Sequence, residues 1–144
     1  MKSTTESLPL LLLKARESSI AHMRPILAEY GLTEQQWRVL RVLDRFTGLS
    51  AQDLANESCI LSPSLSRILV KLEIDGLISK RVDSVDQRAL IIKLTAKGKR
   101  LHKKIEPLVE KQFQKLSQNL GQDTIINLVG MLQEFTNLGT TSAS

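Results

Sequence analysis

The chain has 144 residues, 24% of them charged and 42% hydrophobic, with a net charge of +5 at pH 7. That length suits one domain, or one compact unit with an extension for dimerisation. The apolar run at positions 8–13 is too short to span a bilayer and lacks a small-residue cleavage site, and a single cysteine forms no internal disulfide, so a membrane protein and a disulfide-stapled secreted domain are both disfavoured.

In chain order, a long first helix is predicted from about Leu8 to Tyr30, kinked at Pro25 and closed by Gly31. Thr33 to Gln36 reads as a capping box for a second helix with an apolar stripe of Val39, Val42, Leu43 and Phe46. Gly48 ends it, and Ser50 caps a short third helix. Ser62 as N-cap with Pro63 behind it opens a fourth, which Gly76 stops. Two strands follow over 77–83 and 89–95, with Leu90, Ile92 and Leu94 alternating toward the core. Thr95 caps a long fifth helix carrying Leu101, Ile105, Leu108, Val109, Phe113 and Leu116, with Pro107 as a possible bend. Gly121 separates it from a sixth carrying Ile125, Leu128, Val129, Leu132 and Phe135. Residues 139–144 are predicted to form a small, polar, flexible tail.

Helix, turn, helix and a basic β-hairpin over residues 50–95 describe a winged helix-turn-helix: mainly α, with a small β-hairpin wing. The charge agrees. Between Arg67 and Lys104 stand eleven basic and four acidic residues, so the positive field gathers around the wing. On the fourth helix Leu65, Ile68, Leu69 and Leu72 form the buried stripe, leaving Ser62, Ser64, Ser66, Arg67 and Lys71 for DNA. Short hydroxyls permit close approach, and an arginine reaches a guanine edge or a phosphate. In the wing, Arg81, Asp86 and Arg88 complete the DNA-binding set, Asp86 holding the guanidinium of Arg88 in one geometry. The plainer alternative is a solvated face and a surface ion pair of little energy.

The tract DSVDQRALIIKLTAKGKRL (Asp83 to Leu101) and LTEQQWRVLRVL (Leu32 to Leu43) resemble the MarR family of bacterial regulators. The family's wing pattern matches at Asp83, Asp86, Arg88, Leu94, Thr95 and Gly98. KARES (Lys14 to Ser18), RPI (Arg24 to Ile26) and CILSPSL (Cys59 to Leu65) resemble the branch that controls homoprotocatechuate (4-hydroxyphenylacetate) degradation. Fatty-acid-resistance regulators look closely related to it. The resemblance implies a homodimer with a helical dimerisation base from residues 8–31 and 95–138, and a DNA-binding region over 32–94. It also implies a bacterial cytoplasmic repressor on a pseudo-palindromic double-stranded operator, released by a small aromatic carboxylate. The apolar character of the first and last helices supports an interface independently.

Such an effector needs a cationic end and an apolar slot. Arg16, Ser19 and Met23 share a face of the first helix, and Trp37 and Arg38 lie off the main stripe of the second. The expectation is Arg16, or else Arg38, for the carboxylate, Ser19 for a hydroxyl, and Trp37 with Met23 as walls. The plainer reading pairs Arg16 with an acid such as Glu17 and places Trp37 in the core or the dimer interface.

Cys59 reads as a buried apolar cysteine, and His22 and His102 as isolated residues with no metal-ligand spacing. No glycine-rich phosphate loop, nucleophile elbow or paired-carboxylate motif is present, so no cofactor and no catalysis are expected. Two other readings stay open: a winged helix that binds a protein, and a related regulator answering to a fatty acid or another phenolic.

Overall fold

A computed structural model describes residues 4–86 and 89–141. The chain divides into two compact units, residues 1–109 and 110–144. In chain order the elements are α1 (Thr4–Ala21), α2 (Arg24–Glu29), α3 (Glu34–Arg45), α4 (Ala51–Ser58), α5 (Ser62–Ile74), β1 (Ile78–Val82), β2 (Leu90–Leu94), α6 (Ala96–Leu120) and α7 (Gln122–Thr141).

The predicted single first helix is two. Pro25 has no N–H and its ring collides with the carbonyl four residues back, so α1 stops at Ala21. Met23 donates to the Ile20 carbonyl at 3.1 Å, and α2 restarts with Pro25 in its first turn. Gly31, at φ +71°, then closes α2 while Leu32 N donates back to Leu27 O at 2.9 Å.

The Thr33 capping box forms as expected. Gln36 N donates to Thr33 Oγ1 at 3.1 Å, and Thr33 N donates to Gln36 Oε1 at 3.0 Å. Helix α3 buries Trp37, Val39, Leu40, Val42 and Leu43. Phe46, expected in that stripe, is the extended C-cap instead and is 37% exposed. Ser50 caps α4 by accepting from Asp53 N at 3.1 Å. Helix α5 buries Leu65, Ile68, Leu69 and Leu72, as its spacing predicted. Its N-cap is Leu61 rather than Ser62, and no side chain closes the cap.

Strands β1 and β2 pair antiparallel, from Ile78 opposite Leu94 to Val82 opposite Leu90. Ile92 and Leu94 enter the core, but Leu90 lies beyond its edge and is 51% exposed. Leu49 forms a further bridge to Ile92, donating at 3.1 Å and accepting at 2.8 Å, which ties the segment before α4 to the hairpin. Thr95 anchors the next helix from both sides: its hydroxyl donates to Gly76 O at 2.6 Å and accepts from Gly98 N at 3.0 Å. Gly98 has a steric reason, since a Cβ there would stand 2.1 Å from the Leu77 carbonyl oxygen. In the second unit Gly121, at φ +90°, precedes α7. Helix α7 runs on to Thr141, into the predicted tail, of which positions 142–144 lie outside the described residues. The second unit leaves Phe113, Ile126, Val129, Met131 and Phe135 exposed. Among the described residues no helix is long and apolar enough to cross a membrane.

Candidate nucleic-acid interface

The elbow between α4 and α5 is built on one non-glycine residue in the left-handed region. Cys59 ends α4 at φ +53°, ψ +44°, a conformation that costs an L-residue energy and needs support from its surroundings. Arg38 of α3 supplies that support: its Nη1 donates to the carbonyls of Ser58 at 2.9 Å and Cys59 at 3.3 Å. Cys59 itself is exposed, against the expectation of burial, because the turn aims its side chain outward. Ile60 beside it is buried and fills the core position.

Beyond the elbow, Ser62, Ser66, Arg67 and Lys71 are exposed on α5, opposite its buried leucines, and Ser64 is half-buried. Ser66 Oγ donates to Ser62 O at 3.0 Å, so its proton is committed to its own helix. Lys71 Nζ lies 3.2 Å from Asp75 Oδ1, an exposed pair of small energy. Arg81 is exposed on β1 opposite Ile91. In the wing turn, Asp83 accepts from Val85 N at 3.1 Å, Asp83 N donates to Ala89 O at 2.8 Å, and Ala89 N to Asp86 O at 3.1 Å. Asp86 is exposed, and Arg88, its expected partner, lies outside the described residues.

The predicted effector residues are only partly brought together. Arg16 and Arg38 line one open groove with Leu13, Glu34, Ile60, Leu61 and Ser64, among others. Arg16 Nη2 lies 3.0 Å from Glu34 Oε2, and Nη1 3.7 Å from Glu17 Oε1. Arg38 grips the same Glu34 carboxylate and holds the elbow, so four of its five donors are taken. Ser19, Met23 and Trp37 stand outside the groove. Ser19 Oγ donates to Arg16 O at 2.7 Å, and Met23 packs half-buried against the core. Trp37 is 2% exposed and stacks on His102, ring centroids 5.0 Å apart. It therefore belongs to the core, as the plainer reading had it.

One residue escaped the sequence reading, and the setting of another, His102, was open there between a structural and a surface role. Glu34 is the shared partner of Arg16 and Arg38; the Glu34–Arg38 spacing of four was legible, the link to Arg16 eighteen residues away was not. His102 is buried, with Nδ1 3.5 Å from Asp44 Oδ1 and 3.8 Å from Glu106 Oε2. Trp37 Nε1 and His102 Nε2 have no hydrogen-bond partner among the described residues. No cluster there of three His, Cys, Asp or Glu is placed to hold a metal ion.

A family model described as MarR family matches residues 32–90. The chain is 37% identical over 134 residues to the homoprotocatechuate degradative operon repressor of Escherichia coli, covering 93% of this chain and 90% of that protein. It is 37% identical over 137 residues to the HTH-type transcriptional regulator FarR of Neisseria gonorrhoeae, covering 95% and 94%. Among solved structures it is similar to NadR in complex with 4-hydroxyphenylacetate, with TM-score 0.86 and 35% identity over 94% of this chain and 98% of that one.

Proposed function

This chain belongs to the MarR family, and from that premise we propose that it is a sequence-specific, homodimeric transcriptional repressor that leaves its DNA when a small aromatic carboxylate binds. The observation that carries the DNA reading is the outward face of α5, where Ser62, Ser66 and Arg67 are exposed on a helix whose entry is fixed by Arg38. The basic wing beside it adds the electrostatic term that dominates nucleic-acid affinity. The protein works in the bacterial cytoplasm, where its operator is.

Dimerisation uses the apolar side chains of α7 and the end of α6, together with Leu10, Leu11 and Leu13 of α1. These leucines are 53–55% exposed and Phe135 is 54% exposed, more apolar surface than a small monomer leaves in water. A two-fold dimer then reads a pseudo-palindrome.

The effector class rests on the relatives: one controls homoprotocatechuate degradation, and another was solved with 4-hydroxyphenylacetate. On this chain Arg16 receives the carboxylate, because Arg38 is already committed to the elbow. An incoming carboxylate exchanges with Glu34 at Arg16. Glu34 is also the anion that orients Arg38, so the exchange loosens the guanidinium that holds the carbonyls before α5. Trp37, outside that groove and stacked on His102, takes no part in holding the carboxylate.

The test is fluorescence-anisotropy binding to an operator duplex at several salt concentrations, with and without 3,4-dihydroxyphenylacetate or 4-hydroxyphenylacetate. Salt-dependent, sequence-specific binding abolished by ligand is expected. Binding that neither compound alters removes the effector class; binding that ignores sequence and salt removes the repressor.

A further inference from the structure

Helix α5 carries an apolar strip where a DNA-reading helix would be expected to be polar. Val70 is 52% exposed and Ile74 is 75% exposed, four residues apart on one face. Ser66 stands one turn before Val70 and Arg67 three residues before it, so these side chains share a row along the outer surface. The row is less polar than its composition suggests. The Ser66 hydroxyl donates to Ser62 O at 3.0 Å, and Lys71 leans toward Asp75 at 3.2 Å. What faces outward around Val70 is the Ser66 methylene, two valine methyls and the Arg67 guanidinium.

An exposed valine on this face leaves water only by packing against something apolar. On the major-groove edges of the four base pairs, the C5-methyl of thymine is the apolar group. We propose that Val70 is a specificity-determining residue that packs on a thymine methyl, within about two base pairs of the base or phosphate met by Arg67. The spacing fits: three helical residues rise about 4.5 Å, and successive bases on one strand are about 3.4 Å apart. Val70 is chosen over Ile74 because Ile74 is the last residue of α5, a turn farther from the helix start that leads into the groove. The inference rests on the reading of α5 as the DNA-contacting helix.

The experiment uses the full-length protein and an operator selected from random-sequence duplexes. Each thymine is replaced in turn by deoxyuridine, which removes only the methyl, and binding is measured by anisotropy for the wild type, Val70→Ala and Val70→Thr. At one or two positions per half-site the wild type should lose about fourfold in affinity, the factor for one buried methyl group. Val70→Ala changes both subunits of the dimer, so it should lose about the square of that factor, roughly sixteenfold, on the thymine duplex, and its sensitivity to deoxyuridine there should fall, with its salt dependence unchanged. Val70→Thr keeps the β-branched shape and one of the two methyls and covers the case in which the alanine variant folds poorly; its discrimination should fall without vanishing. Wild-type indifference to every deoxyuridine overturns the proposal, as does undiminished sensitivity in both variants. If the wild type binds no duplex in a salt-dependent, sequence-specific way, the repressor reading falls too, and that result is distinct from intact binding without methyl dependence.

Discussion

The guanidinium of Arg38 meets the carboxylate of Glu34 at two points, Nε to Oε1 at 3.1 Å and Nη2 to Oε2 at 2.8 Å. Both side chains are mostly buried, 24% and 15% exposed, so solvent screens the pair less than it does a surface ion pair. The two-point grip fixes the plane of the guanidinium, which leaves Nη1 aimed at the carbonyls of Ser58 and Cys59. Arg38→Lys keeps the charge but cannot hold a carboxylate at two points and reach two carbonyls as well. It should lower unfolding free energy by about 2 kcal/mol, measured by urea titration, and weaken operator binding by loosening the entry to α5. Unchanged DNA affinity would separate the elbow from recognition.

Arg16 separates the two arginines of the groove. Its side chain is 41% exposed and its pair with Glu34 is of surface strength, so Arg16→Ala should fold normally, with operator affinity lowered modestly because the pair steadies the carboxylate that orients Arg38. The concentration of 4-hydroxyphenylacetate that releases the DNA should rise about tenfold, the factor for one charge-assisted hydrogen bond of about 1.4 kcal/mol. Release at the wild-type concentration would take the carboxylate away from Arg16.

Gly98 is held by a backbone neighbour rather than by its conformation. An alanine Cβ would stand 2.1 Å from Leu77 O, and that carbonyl already accepts from Thr95 N at 3.0 Å. The start of α6 would have to move away from the turn before β1. Gly98→Ala should cost about 3 kcal/mol, seen as a lower urea midpoint with an unchanged slope.

Much of the DNA-binding lobe was legible because its signals are local. Capping at Thr33 and Ser50, the buried spacing of α5 and the strand alternation each rest on residues within a few positions of one another. The misses are of two kinds. Local geometry decided some: Pro25 broke a helix expected to kink, the α5 cap fell on Leu61 before Ser62, and Cys59 took a left-handed turn that exposed it. Long-range packing decided the rest. Trp37 was expected to wall a slot with Met23 but stacks on His102, sixty-five residues on, and Arg16 finds Glu34 rather than only its neighbour Glu17. No periodicity carries pairings of that kind.

The second unit tests dimerisation without touching the DNA-binding face. Phe135 is 54% exposed on α7, with Leu132 and Leu138 at helical spacing on either side. Phe135→Asp places a charge in that apolar row, where burial against a partner would cost several kcal/mol. Sedimentation should show a dimer turned into a monomer, and operator affinity should collapse because one half-site contributes alone. A dimer that survives the charge would place the interface elsewhere.

Arg67 is exposed on α5 three residues before Val70, and two roles are open to it. If it pairs with a guanine edge, Arg67→Ala should cost about 1–3 kcal/mol and relax the preference at one base pair of each half-site. If it meets a phosphate, affinity should fall evenly across sequences, and the slope of log K against log salt should shrink by about 0.9 for each phosphate no longer neutralised. A dimer gives up two symmetric phosphates at once, so the change in slope should be about twice that of a single site. Measuring the variant on the selected operator and on scrambled DNA at four salt concentrations distinguishes the two. A variant that matches wild type on both duplexes at every salt would show that Arg67 touches neither.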